Sequence, residues 1–232
     1  MNSLQTYFPF GPSIGHAELP KDLVNDFNKG CDDIVKDKEL SKSVDWSHNL
    51  VGQVEQELKI PNDILKKWGN WFGAQVQAYV AGYLSQLHIP EQNIMGASKE
   101  EVEKSISRMQ INIQSAWYIR SFAGDFNPIH SHTRCELTCV GYLKVPDLSK
   151  ERKKGHNPLR PNGGSLEILS NIGANEKAFF ENDRMIFTPK VGNWYLFPAN
   201  LRHVVYPFKC DGERRSFSIN MNTNMFKGVT DK

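Results

Sequence analysis

Several things are scarce in this chain, and each scarcity excludes something. Only four cysteines occur in 232 residues: Cys31, Cys135, Cys139 and Cys210. They are too few and too irregularly spaced for a disulfide scaffold, so a reducing, cytoplasmic setting is expected. No apolar run approaches the roughly 20 residues of a membrane helix, and no membrane partner is expected. Met1–Tyr7 has neither a basic flank nor an apolar stretch, so no secretory leader is read there. The net charge is only +2, too small to argue for a nucleic-acid partner. Internal repeats and low-complexity tracts are missing as well. What is left is a globular composition, 39% hydrophobic and 23% charged. The length suits one large domain, or one domain with a helical annex.

The texture changes near residue 109. Residues 1–108 read as a helical support region. Leu23, Val24, Phe27, Cys31, Ile34 and Val35 recur at helical spacing. Pro61-Asn62 opens a stronger helix, in which Ile64, Leu65, Trp68, Trp71, Phe72, Val76, Tyr79, Val80 and Tyr83 make a wide apolar face. The plain reading of that face is packing on a sheet, and a cofactor platform is the other. Residues 109–232 read as the core. Short apolar runs alternate there with Gly, Pro and Asn turns, about ten residues apart. Strands are predicted over 109–122, 136–145, 165–169, 184–188, 193–197, 203–208 and 215–221. The expected fold class is mainly β with N-terminal helices (α+β), an antiparallel sandwich or barrel in one structural domain. The charged stretch 150–158 reads as a solvated loop, with a lid as the alternative.

Three histidines carry the chemistry. In Asn127-Pro128-Ile129-His130-Ser131-His132, the two histidines stand at i and i+2, and on a strand they point to one face. His203 follows in Phe197-Pro198-Ala199-Asn200-Leu201-Arg202-His203. Imidazole is the commonest metal-ligating side chain, and a facial trio leaves coordination positions open for substrate and oxygen. A zinc set of His130, His132, Cys135 and Cys139 has the wrong spacing for a structural site. Parity also puts both cysteines on the opposite face, where they read as small core residues. Glu136 shares the parity of His130 and His132 and would reach the metal if the strand ran straight. A turn at Thr133-Arg134 would displace it. His16, His48, His88 and His156 have no partners in the sequence and read as surface or packing residues.

A second group follows the Asp211-Gly212 turn. Arg214, Ser216, Ser218 and Asn220 share one face of a strand, and Phe217 and Ile219 share the other. An inward guanidinium requires a partner, because an unpaired buried charge is costly. Arg214 with Ser216 would suit a small dicarboxylate beside the metal. The alternative is an arginine paired with a protein carboxylate. Arg215 has the opposite parity and is the weaker candidate.

Taken in order, four segments resemble the 2-oxoglutarate/Fe(II)-dependent oxygenases. They are His130-Ser131-His132, the LTCVGYLKVP strand of residues 137–146, Gly192-x5-Pro198-x4-His203-x-Val205, and Gly212-Glu213-Arg214-Arg215-Ser216-Phe217-Ser218-Ile219-Asn220. The nearest resemblance is to a prolyl-hydroxylase-like group with an HxH…H…R pattern, over most of residues 110–222. The resemblance implies a double-stranded β-helix, the jelly roll also seen in cupins. It implies Fe(II) between His130, His132 and His203, with the distal carboxylate of 2-oxoglutarate on Arg214, aided by Ser216. Tyr142, inward by parity, would lie in reach. It also implies use of O2, and oxidation, in all expectation hydroxylation, of a primary substrate that the sequence does not identify, whether a small molecule or a peptide side chain. One departure stands out. Most of the superfamily has H-x-D or H-x-E, and here His132 takes the carboxylate position, so either three histidines ligate or Glu136 joins. The alternative is a cupin-type dioxygenase or isomerase without 2-oxoglutarate, since Gly124-x5-His130-x-His132-x3-Glu136 resembles the first cupin motif. A non-catalytic metal-binding barrel is the third reading.

Overall fold

The computed structural model describes residues 11–49, 52–87, 98–151, 163–170 and 184–224. The Met1–Tyr7 opening, His88, His156 and all but the first two positions of the 150–158 stretch lie outside the described residues. Ten strands and four α-helices are present among those described. In chain order they are β1 (Gly15–Glu18), α1 (Lys21–Lys36), α2 (Lys38–Ser43), β2 (Gln56–Lys59), α3 (Asn62–Leu87), α4 (Lys99–Ser107), β3 (Ile111–Ser121) and β4 (Asn127–His130). They continue with β5 (Leu137–Lys144), β6 (Leu166–Leu169), β7 (Arg184–Phe187), β8 (Asn193–Pro198), β9 (His203–Val205) and β10 (Arg214–Thr223).

All pairings are antiparallel. The larger sheet runs β1-β8-β5-β10-β3-β2 and the smaller β4-β9-β6-β7. This is the double-stranded β-helix expected from the sequence, and β3 and β5 to β10 lie at the predicted strands. The helical reading of the first 108 residues needs one addition. That segment also supplies β1 and β2, the two edge strands of the larger sheet. At four residues each they are too short to show a period against the helical pattern around them. No helix among the described residues is long and apolar enough to cross a membrane.

The helices cover the outer face of the larger sheet. In α1 the residues Leu23, Phe27, Cys31 and Ile34, three or four apart, are all buried. Phe72 and Val76 of α3 join them against Phe217, Ile219 and Met221 of β10. The aromatic face of α3 is therefore core, as its plain reading held. Phe27 and Phe217 meet with ring centroids 4.7 Å apart. Each such ring stabilises the fold by about 2 kcal/mol through its buried area. Gly141 of β5 makes room for this layer, since a Cβ there would come within 2.3 Å of the Phe217 ring.

Arg215 also points to this outer face. Its Nη2 donates to Asp32 Oδ1 of α1 at 2.8 Å, and its Nε donates to Glu213 Oε1 at 2.9 Å. Burial works to raise the Glu213 carboxyl, but hydrogen bonds from Arg215 and Arg120 overcome it and hold the pKa down at about 2. The network ties α1 to the sheet, which accounts for the second arginine of the pair.

Period-2 alternation sends the other residues of β10 inward. Register lays out the inner face in rows across strands β2, β3, β10 and β5. One row is Glu57, Ile119, Ser216 and Tyr142. Lys59, Trp117, Ser218 and Val140 form the next. A second cluster, with Tyr142, Leu166, Ile168, Tyr195 and Phe197, packs between the two sheets.

Candidate metal centre

His130 ends β4 and stands directly opposite His203 of β9 in the ladder. His132 lies just past the strand end, where its backbone N–H donates to Ala199 O at 2.8 Å. The ring centroids are 4.2 Å apart for His130 and His203, 5.2 Å for His132 and His203, and 5.5 Å for His130 and His132. One ligand nitrogen from each ring lies within 4.8 Å of the other two. This is the one metal-capable cluster of His, Cys, Asp and Glu found among the described residues.

The rings are held for ligation from behind. His130 Nδ1 donates to Pro128 O at 2.7 Å, His132 Nδ1 to Asn220 Oδ1 at 2.6 Å, and His203 Nδ1 to Leu201 O at 3.1 Å. Each hydrogen bond assigns the proton to Nδ1, so each Nε2 lone pair is free to bind an ion. Burial depresses the pKa of all three. His203 falls to about 3, with His130 and His132 adding to the effect of burial, and His132 falls to about 4. His130 is lowered mainly by burial. All three imidazoles are therefore neutral near pH 7, the form a metal requires. Trp117 stacks on His132 with centroids 5.7 Å apart, and Phe197 meets His203 edge-on at 5.2 Å. The donor set fits an Fe(II) or related ion.

Asn220 is the support most easily tested. Its Oδ1 also accepts from Thr138 Oγ1 at 2.9 Å, so the amide is oriented before it meets His132. Asn220→Ala is expected to weaken Fe(II) binding by about 10- to 100-fold while the protein stays folded. Anaerobic Fe(II) titration measures this, and a wild-type affinity would remove Asn220 from the metal's support.

Glu136 is a correction to the straight-strand expectation. Arg134 takes φ 60°, breaking the run between His132 and β5. Glu136 Oε2 then accepts from Thr223 Oγ1 at 2.8 Å and from the Thr223 backbone N–H. The carboxylate belongs to the end of β10 and is absent from the histidine cluster. A cupin ligand set would need it there. The four cysteines are free thiols, and Cys139 is buried in the helix-side core. His16 stacks on Tyr195 and His48 meets Trp46 edge-on.

The histidines open into a cavity of about 340 Å³. Arg214, Ser216, Ser218, Asn220, Tyr142 and Thr138 line it as well. Arg214 is 3% exposed. Its Nη1 donates to Gly164 O at 3.0 Å, its Nη2 to Ser121 Oγ at 3.1 Å, and its guanidinium carbon lies 5.5 Å from the Phe208 ring centroid. No carboxylate among the described residues forms an ion pair with it. Burial lowers its pKa, as it must for a cation without a full counter-charge. The alternative of an arginine satisfied by a protein carboxylate thus describes Arg215, which has Asp32 and Glu213, and not Arg214.

Among the cavity groups not singled out as site residues from the sequence, two are polar or aromatic groups beside the histidines or deeply buried. Trp117 stands beside His132, and Glu57 of β2 lines the same space at 5% exposure. Burial pushes the Glu57 carboxyl up to about 7, against a hydrogen bond from the Trp117 indole. The sequence signal was the alternation Glu57-Leu58-Lys59-Ile60, which lay hidden in a segment of helical texture.

A model of the family described as "Putative 2OG-Fe(II) oxygenase" matches residues 115–220. Residues 115–220 are thus similar to a 2OG-Fe(II) oxygenase core. The matched span runs from within β3 to within β10 and contains every residue of the metal cluster and the arginine pocket. Enzymes of this family use Fe(II), 2-oxoglutarate and O2, and the histidine trio is a fitting place for the iron. None of the curated proteins compared matches the chain. Solved structures do match, at low identity. A prolyl-4-hydroxylase from Pseudomonas putida is 16% identical with a TM-score of 0.53, over 91% of this chain and 92% of that one. The 2-oxoglutarate-dependent epimerase SnoN of nogalamycin biosynthesis is 13% identical with a TM-score of 0.52, over 91% of this chain and 78% of that one. An oxidoreductase of the 2OG-Fe(II) oxygenase family from Burkholderia pseudomallei is 17% identical over 50% of this chain, and the match spans under half, 46%, of its length (TM-score 0.35). The two likenesses with a TM-score above 0.5 establish the fold alone and leave activity and substrate open.

Proposed function

We propose that the cavity is the active site of a 2-oxoglutarate-dependent hydroxylase. His130, His132 and His203 hold Fe(II) through Nε2, and Arg214 with Ser216 receives the distal carboxylate of 2-oxoglutarate. The observation that carries this reading is one cavity holding three neutral, convergent imidazoles and a buried guanidinium without a carboxylate partner among the described residues. With the metal and co-substrate bound, O2 and 2-oxoglutarate are consumed to give succinate and CO2, and the second oxygen atom goes to the substrate.

The chain's own residues bind, orient and exclude water. The Arg214 guanidinium offers a carboxylate two parallel donors, and the Ser216 hydroxyl offers a third. Tyr142, in the same row as Ser216, supplies a buried phenol beside them. Val140, Leu166, Phe197 and Val205 give the cavity apolar walls that limit water near the reacting atoms. Three neutral ligands leave both charges of the iron uncompensated by the protein, so the dianionic co-substrate supplies the balance. The primary substrate is a small molecule or a peptide side chain. The Pseudomonas putida prolyl-4-hydroxylase of the same fold supports hydroxylation as the outcome. Free thiols throughout are consistent with a reducing, cytoplasmic setting.

The test is spectroscopic and anaerobic. Fe(II) and then 2-oxoglutarate are added to metal-free protein. A weak visible charge-transfer band that needs both components is expected. Iron binding with no band on addition of 2-oxoglutarate would sink the co-substrate assignment.

A further inference from the structure

Glu57 has no task in the site described so far. It is the one carboxylate among the described residues that line the cavity, and its side chain is almost fully buried. No lysine or arginine among the described residues forms an ion pair with it. The Trp117 indole favours its charged form by hydrogen bonding, against the effect of burial. Asp45 stands near enough to make its surroundings more negative. A buried carboxylate without a cation is costly, and cores do not keep one without a use.

Its position is set by register. Glu57, Ile119 and Ser216 occupy successive strands in one row of the inner face. Glu57 therefore stands about 10 Å from Ser216, two strand spacings away. That separation leaves room for a substrate between the two. Trp46 and Trp117 line the same cavity. Indole faces attract cations, and the exposed ammonium of Lys59 already lies 4.6 Å from the Trp46 ring centroid.

We infer that Glu57 selects the primary substrate by accepting a cationic nitrogen, an ammonium or guanidinium group, with Trp46 and Trp117 beside it. The inference rests on the oxygenase reading of this cavity. Arg214 and Glu57 then divide the labour by charge: the guanidinium takes the anionic co-substrate and the carboxylate takes the cationic end of the substrate.

The experiment uses the full chain loaded with Fe(II) and 2-oxoglutarate under anaerobic conditions. Four probes are titrated and followed by ligand-observed NMR line broadening: n-butylguanidinium and n-butylammonium, and the neutral n-butylurea and n-butanol. The cations are expected to bind at millimolar concentration at least about tenfold more tightly than the neutral probes, the worth of one charge-assisted hydrogen bond. Glu57→Gln is expected to abolish that preference, and Glu57→Asp to keep it. Equal binding of charged and neutral probes, no binding of either cation, or an intact preference in Glu57→Gln would overturn the inference. So would a Glu57→Gln variant that loses Fe(II) affinity instead, because Glu57 would then be balancing the charge of the metal site. The charge-transfer band is recorded on the same samples. If the band is present and the preference absent, only this inference fails; if the band is absent, the oxygenase reading fails first.

Discussion

Arg214→Ala is expected to bind 2-oxoglutarate at least about thirtyfold more weakly than the unmodified protein, and still to take up one Fe(II). The magnitude follows from removing one partner of a buried charge pair, which costs roughly 2–5 kcal/mol because the other charge is left without its counterpart. The metal is spared because Arg214 makes no hydrogen bond to any of the three histidines. Its donors go to Gly164 O, Tyr206 O and Ser121 Oγ. Arg214→Lys separates charge from shape: it keeps a cation in the pocket and loses the fork, so it falls between the two. Titrating 2-oxoglutarate against the charge-transfer band measures all three proteins. A wild-type co-substrate affinity in Arg214→Ala would remove that residue from the site.

His203→Ala is expected to lose stoichiometric Fe(II) and with it all 2-oxoglutarate turnover. His203 is the most buried of the three histidines and sits opposite His130 in the β4–β9 ladder, and no other His, Cys, Asp or Glu among the described residues joins the cluster. Two imidazoles held on a strand and its trailing loop are a poor site for a divalent ion. The variant is expected to fold, because the strand keeps its ladder bonds and the losses are confined to the ring's contacts with His130, His132 and Phe197 and its hydrogen bond to Leu201 O. Metal analysis after dialysis, paired with a thermal melt, gives the answer. One iron per chain in a folded His203→Ala protein would end the three-histidine assignment.

Much of this site was legible in the sequence, and the reasons are local. Alternation along β10 assigned Arg214, Ser216, Ser218 and Asn220 to the cavity side, because a strand's period of two leaves no other choice once Phe217 and Ile219 are in the core. The apolar face of α3 was legible for the matching reason with a period near 3.6. What could not be read depended on partners distant in the chain. Glu136 has the right parity for a ligand, and a single left-handed residue, Arg134, turns it toward Thr223 instead. Glu57 enters the site only because β2 pairs with β3, some sixty positions later, and a four-residue strand does not announce its partner. Asn220 was seen to face inward, but its hydrogen bond to His132 spans 88 positions and leaves no mark on either segment.

The back-to-back arginines of β10 also bear on how this protein can change. Arg214 faces the cavity and Arg215 faces α1, so deleting or inserting one residue upstream within the strand would exchange their duties. A deletion would put a phenylalanine in the cavity at the place of Ser216, and a serine where Phe27 meets a ring. Drift in length is thus closed to β10, and novelty must come through substitution in place or through the strands at the rim. Glu57 on the rim strand β2 stands apart from Arg214 and the three histidines, so on the reading proposed above a change of substrate can be acquired there while those residues stay fixed.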